Sequence, residues 1–137
     1  MNRFLTAVFS SICFATLLAV VSYVPSTQRE PNIYYFSFLE TFIFVILYAG
    51  SVFILAGIPL SILIDKLVGR YRNLSKWALY LVKLGSYSFT GVVVGLLYFI
   101  MVFQNFKGVI SFSLYGCLAS NVYFHFLLLL TERRTKD

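Results

Sequence analysis

The sequence predicts an all-α polytopic membrane protein: four transmembrane helices arranged as two in–out–in hairpins in a single membrane domain covering residues 1–137. Three observations carry that expectation. Hydrophobic residues make up 60% of the chain and charged ones 12%, with a mean hydropathy of +0.86, whereas about a quarter of an ordinary soluble domain is charged. A chain of 137 residues leaves much of its surface exposed on folding, so this apolar content requires lipid as the solvent. The charges, finally, collect at the ends of four apolar runs and form no continuous stripe. The formal net charge of +6 therefore reads as an interfacial signal, and nucleic acid is not an expected partner.

The first run, Phe4–Val24, has 21 residues between Arg3 and Pro25, enough to cross a hydrocarbon core of about 30 Å at about 1.5 Å per residue. It exceeds the apolar region of a signal peptide and lacks an A-x-A cleavage site, so it reads as a retained span. Residues 25–36 form a loop broken by Pro25 and Pro31, with Tyr34, Tyr35 and Phe36 suited to the membrane interface. The second span, about 38–64, is longer than a perpendicular helix needs. Pro59 cannot donate to the Leu55 carbonyl, which predicts a bend near 55–59 flanked by the small residues Gly57 and Ser61.

The segment 65–77 is the one long polar stretch inside the molecule. Lys66, Arg70, Arg72 and Lys76 face a single acid there, Asp65, expected at a solvated helix end. Ser75 is an N-cap candidate for the third helix. Lys76–Lys83 reads as two interfacial turns, with Lys83 snorkelling, ahead of a span at 84–103. A short loop, 104–108, leads to the fourth span at 109–130 and the charged tail 131–137.

Counting basic residues near the span ends sets the orientation. Arg3, Lys66, Arg70, Arg72, Lys76, Arg133, Arg134 and Lys136 fall on one side, with Lys83 nearby, and Arg29 and Lys107 on the other. The positive-inside rule places both termini and loop 65–77 in the cytoplasm of a cell membrane, where Lys66, Arg70, Arg72 and Lys76 would meet anionic lipid headgroups. The spacing of Ser11, Phe14 and Tyr23 recurs at Ser86, Phe89 and Tyr98, the pattern a parallel duplication would leave, but residues this common on membrane helices also produce it by chance.

Candidate chemistry is sparse. In the fourth span Ser113, Gly116, Cys117, Ser120, Asn121, Phe124 and His125 share one helical stripe. Ser113, Gly116, Ser120 and Asn121 read first as helix-packing positions, beside the Gly91–Gly95 G-x-x-x-G pattern of the third span, whose contact is either the fourth span or a second copy. A polar pathway built from Glu40, Asn121 and His125 is the competing reading. Glu40 sits near the outer end of its span, where it would reach headgroups or pair with Arg29 or Lys107. Cys13 and Cys117 fall near mid-membrane and are expected unbridged. One histidine and no C-x-x-C or H-E-x-x-H spacing give no expectation of a metal or cofactor, and no catalytic motif points to an enzyme.

The segment Gly57-Ile-Pro59-Leu-Ser61-Ile-Leu-Ile-Asp65-Lys66, closing a second span and entering a basic loop, resembles small uncharacterised four-span integral membrane proteins of Gram-positive bacteria. The resemblance implies a multi-pass bacterial membrane protein and supplies no site residues. Small multidrug transporters also have four spans, but they depend on a glutamate in the first, which this first span lacks. Two functions follow. One is a non-enzymatic membrane protein acting through helix–helix contacts with a partner or a second copy, in a regulatory, assembly or immunity-type role. The other is a small dimeric transporter or channel for an ion or solute.

Overall fold

A computed structural model describes residues 2–70, 75–103 and 109–134. Those residues are helical with short connections and contain no strand: α1 (Asn2–Val21), a 3₁₀ turn (Ser26–Gln28), α2 (Phe38–Val52), a π segment (Phe53–Gly57), α3 (Ile58–Val68), α4 (Lys76–Phe103) and α5 (Val109–Arg134). α2, the π segment and α3 run on as one rod, so four helices are long and apolar enough to cross a membrane. Arg72 and Lys107 lie outside the described residues.

α1 is the centre of the bundle. Its Thr6, Ala7, Ser10, Ser11, Phe14, Ala15 and Ala19 are all buried, one stripe at helical spacing, and it packs against α2 and α5 and touches α3. Small side chains on that stripe let the neighbouring backbones come close. An aromatic ladder then joins all four spans. Phe14 meets Phe53 edge-on with ring centroids 6.2 Å apart, and Phe53 stacks on Tyr123 at 6.0 Å. Tyr123 stacks on Tyr87 at 6.4 Å, and Tyr87 on Phe124 at 4.9 Å. Each such pair contributes about 0.5–1.5 kcal/mol beyond its burial.

The most extensive pairing is α4 with α5, and glycine makes it possible. A Cβ on Gly91 would collide with Ser120 Oγ and the Gly116 carbonyl, and one on Gly95 would sit 2.5 Å from the Phe112 carbonyl oxygen. The third-span G-x-x-x-G thus faces the fourth span of the same chain.

The bend in the second span takes the form of a π turn. The Ile58 N–H bonds to the Phe53 carbonyl, five residues back, and Pro59 stands in the first turn of α3. Widening the turn keeps the proline ring off the preceding carbonyls, the clash that otherwise kinks a helix. Two helix ends differ from the sequence reading: α1 stops at Val21, and α3 carries Asp65 and Lys66 inside the helix up to Val68. α4 starts directly after Ser75, as the N-cap expectation has it, and Ser75 Oγ accepts from the Ala78 N–H at 3.3 Å. The shared spacing of spans one and three does not mark equivalent places, since Phe14 is buried whereas Phe89 is 72% exposed.

Candidate functional site

α2 packs chiefly on α1, whereas α3 closes against α4. The rod of the second span therefore stands off α4 and α5 along much of its length and leaves a groove of about 490 Å³. Three long helix faces line it, together with Phe14 and Leu18 of α1. α4 gives Tyr87, Gly91, Val94 and Tyr98, α5 gives Phe112, Gly116, Ala119 and Tyr123, and both run at 3.6-residue spacing. The second span gives a stripe from Phe44 through Tyr48, Val52, Ala56 and Leu60 to Ile64. That stripe steps by four residues, which over-rotates a regular α-helix by about 40° per step. The π turn, with more residues per turn, takes back part of the rotation and holds the face toward the groove. From Phe44 to Ile64 the lining covers about 30 Å, the thickness of a hydrocarbon core.

A charged cluster lies beside the groove at Ser61, which lines it, although Arg3, Asp65 and Lys83 themselves do not. Arg3 of α1 donates to Ser61 Oγ and, through Nη2, to Asp65 Oδ2 at 2.8 Å. Lys83 Nζ lies 3.0 Å from Asp65 Oδ1. Ser61 is fully buried, donates to the Ile58 carbonyl at 2.7 Å and accepts from the Tyr123 hydroxyl at a long 3.4 Å. Beside it the buried Tyr87 hydroxyl makes no hydrogen bond of good geometry among the described residues. The side chains of Arg3, Asp65 and Lys83 each remain about 30% exposed, so the triad is sealed on the protein side and open on the other. Two cations on one carboxylate leave a formal charge of +1. This cluster corrects one expectation: Asp65 is not a solvated helix end but pairs with Arg3 and Lys83. Distant segments of sequence meet here because antiparallel helices bring the first turn of α1, the end of α3 and the start of α4 to one level.

The sequence candidates fall elsewhere. Glu40 closes a capping box with Ser37: the Ser37 N–H donates to Oε2 at 2.7 Å and the Glu40 N–H donates to Ser37 Oγ at 3.3 Å. The Tyr34 hydroxyl donates to Glu40 Oε1 at 2.7 Å, and that bond raises the Tyr34 pKa, since its phenolate would lose the bond and face a carboxylate. Arg29 does not pair with Glu40. Its Nε donates to the Val24 carbonyl at 3.0 Å and its guanidinium lies 6.0 Å from the Tyr35 ring centre.

Asn121 joins α5 to α4. Its Nδ2 donates to Ser88 Oγ at 3.0 Å and to the Cys117 carbonyl at 2.9 Å. His125 is exposed. Its Nδ1 lies 2.8 Å from the Asn121 carbonyl and must donate there, so the neutral ring accepts from the Tyr80 hydroxyl at Nε2, 3.2 Å away. Gly91, Gly95, Gly116 and Ser120 meet at the α4–α5 contact and also border the groove, while Ser113 is half-buried on α5. Glu40, Asn121 and His125 are not brought together, and none of them lines the groove. Lys66, Arg70 and Lys76 are exposed at the charged end of the bundle. Cys13 and Cys117 are free thiols, and among the described residues no three metal-ligating side chains cluster.

Sequence reasoning missed the Arg3–Ser61–Asp65–Lys83 cluster. One signal was available: Ser61 and Asp65 sit four residues apart, on one face of the same helix, and Asp65 is the only acid near five basic residues.

The fold and the groove define the class: a small polytopic membrane protein with a lipid-depth apolar groove and a charged end. No family model, curated protein or solved structure matches the chain.

Proposed function

We propose that this chain is a non-enzymatic, multi-pass protein of the cell membrane, both termini cytoplasmic, that holds one extended hydrocarbon chain of a lipid in the groove. The groove's dimensions carry the reading. The groove is narrow for its length, about 490 Å³ along about 30 Å of lining, slimmer than a partner helix about 10 Å across. A single hydrocarbon chain is the object that is long, thin and apolar enough. The lining is aliphatic and aromatic, its hydroxyls spread from Tyr48, Tyr98 and Tyr115 to Ser61, Tyr87 and Tyr123, with no charged side chain among the lining residues, the composition of a binding site and not of an ion path.

Two earlier expectations lose their motive. The small-residue faces on which helix–helix recruitment rested are occupied inside the chain by α4 and α5. A transporter using Glu40, Asn121 and His125 would need them along one path, and they lie at separate places outside the groove. The cytoplasmic orientation rests on the basic residues at the charged end.

The test is lipid retention. Protein purified in mild detergent should carry co-purifying lipid by native mass spectrometry. Val94→Trp, which fills the groove from α4, should lose most of it while keeping the fold by circular dichroism. Equal lipid in both proteins would sink the reading.

A further inference from the structure

We infer that the charged end of the groove is a headgroup site for an anionic phospholipid, with Arg3 and Lys83 contacting the phosphate and one acyl chain lying along the groove. This rests on the chain-binding reading and adds the chemistry of the head. A bilayer phospholipid has this layout, a charged head at the interface and a chain running toward the bilayer centre, and the groove repeats it: a charged cluster at one end and an apolar lining beyond.

Charge decides the class of head. Arg3, Lys83 and Asp65 leave one positive charge in excess, and their side chains stay partly exposed next to Ser61, a groove residue that Arg3 bonds. A guanidinium carries five N–H donors and an ammonium three. Arg3 commits donors to Ser61 and Asp65, and Lys83 one to Asp65, which leaves N–H groups on both for phosphate oxygens. Tyr87, which lines the groove and is 4% exposed, brings its hydroxyl beside Ser61 without a hydrogen bond of good geometry, so a head oxygen entering there would give it a better acceptor. Exposed Lys66, Arg70 and Lys76 at the same end add to the local preference for negative lipid.

The experiment presents full-length protein with vesicles of equal phosphatidylglycerol and phosphatidylethanolamine, extracts it in mild detergent and counts both lipids by native mass spectrometry. Wild type should retain phosphatidylglycerol over phosphatidylethanolamine by about fivefold, the order expected from one basic residue at an anionic leaflet. Lys83→Gln should keep total lipid but fall toward parity, and Lys83→Arg should restore the preference. If wild type holds lipid without preference, or Lys83→Gln keeps the full preference, the headgroup site is overturned and the chain reading stands. If wild type holds no more of either lipid than Val94→Trp, the chain reading fails and the headgroup site with it. Should Lys83→Gln not fold, wild type in raised salt makes the same comparison, with a preserved fivefold ratio counting against the site.

Discussion

At the scale of single residues, two glycines illustrate how context sets the role of one side-chain type. Gly91 touches Ser120 and Gly116 so closely that no Cβ fits, whereas Gly85 has nothing within 4 Å of where a Cβ would be. Gly91→Ala should therefore lower thermal stability in detergent by about 1–3 kcal/mol through overpacking. Gly85→Ala should be neutral or stabilise by up to about 1 kcal/mol, since alanine is the better helix former. Comparable losses in both would contradict the packing described. Glu40 makes a similar point about charge. Its carboxylate is spent on the start of α2, so Ser37→Ala should cost about 1 kcal/mol. Glu40→Gln should cost clearly less, because glutamine also completes a capping box. Unfolding curves of the two variants separate a capping role from any other.

At the scale of elements, the second span carries the most information. Pro59 announces a bend in sequence, but whether the helix kinks or widens depends on what the flanking faces must touch. Here the wide turn keeps Phe53 stacked on Tyr123 and keeps Ser61 and Asp65 directed at Arg3. The same rod packs on α1 at one end and on α4 at the other, and the groove is the space left between. Asp65 ties three helices together, so Asp65→Asn leaves Arg3 and Lys83 as facing like charges. Because these groups are about 30% exposed, water screens part of the loss, and the expected cost is about 1–3 kcal/mol. Adding Lys83→Gln to Asp65→Asn should recover part of it. A double variant no more stable than Asp65→Asn alone would show that the charges do not interact as described.

At the scale of the whole molecule, the proposed orientation rests on the basic residues that the sequence collects at one set of span ends. Reversing Arg70 and Arg72 to glutamate removes basic charge from one face of the bundle and should give a mixed population in the membrane. Labelling of single cysteines placed at position 2 and in the loop at 26–28 from outside intact cells reads this directly. Wild type should label only in the loop. A reversed variant that labels as wild type would show that Arg3, Lys76 and the tail suffice.

The number and order of the apolar helices were determined by the sequence alone, because an apolar run long enough for a bilayer is a local property that no partner alters, whereas their ends shifted by several residues. So were the Ser75 cap and the existence of a bend at Pro59, which depend on a few consecutive residues. The α4–α5 contact was half legible: Gly91, Gly95, Gly116 and Ser120 showed where helices approach, but not which helix answers. What only the tertiary structure decided is the groove and its charged end. Arg3, Ser61, Asp65 and Lys83 are separated by up to 80 positions, and a charge that looks solvated in sequence becomes a partner once antiparallel helices bring it level with its opposites. Pairing offsets part of the cost of holding these charges largely out of water, their side chains being about 30% exposed. The void beside them follows from how two ends of one bent helix pack on different neighbours.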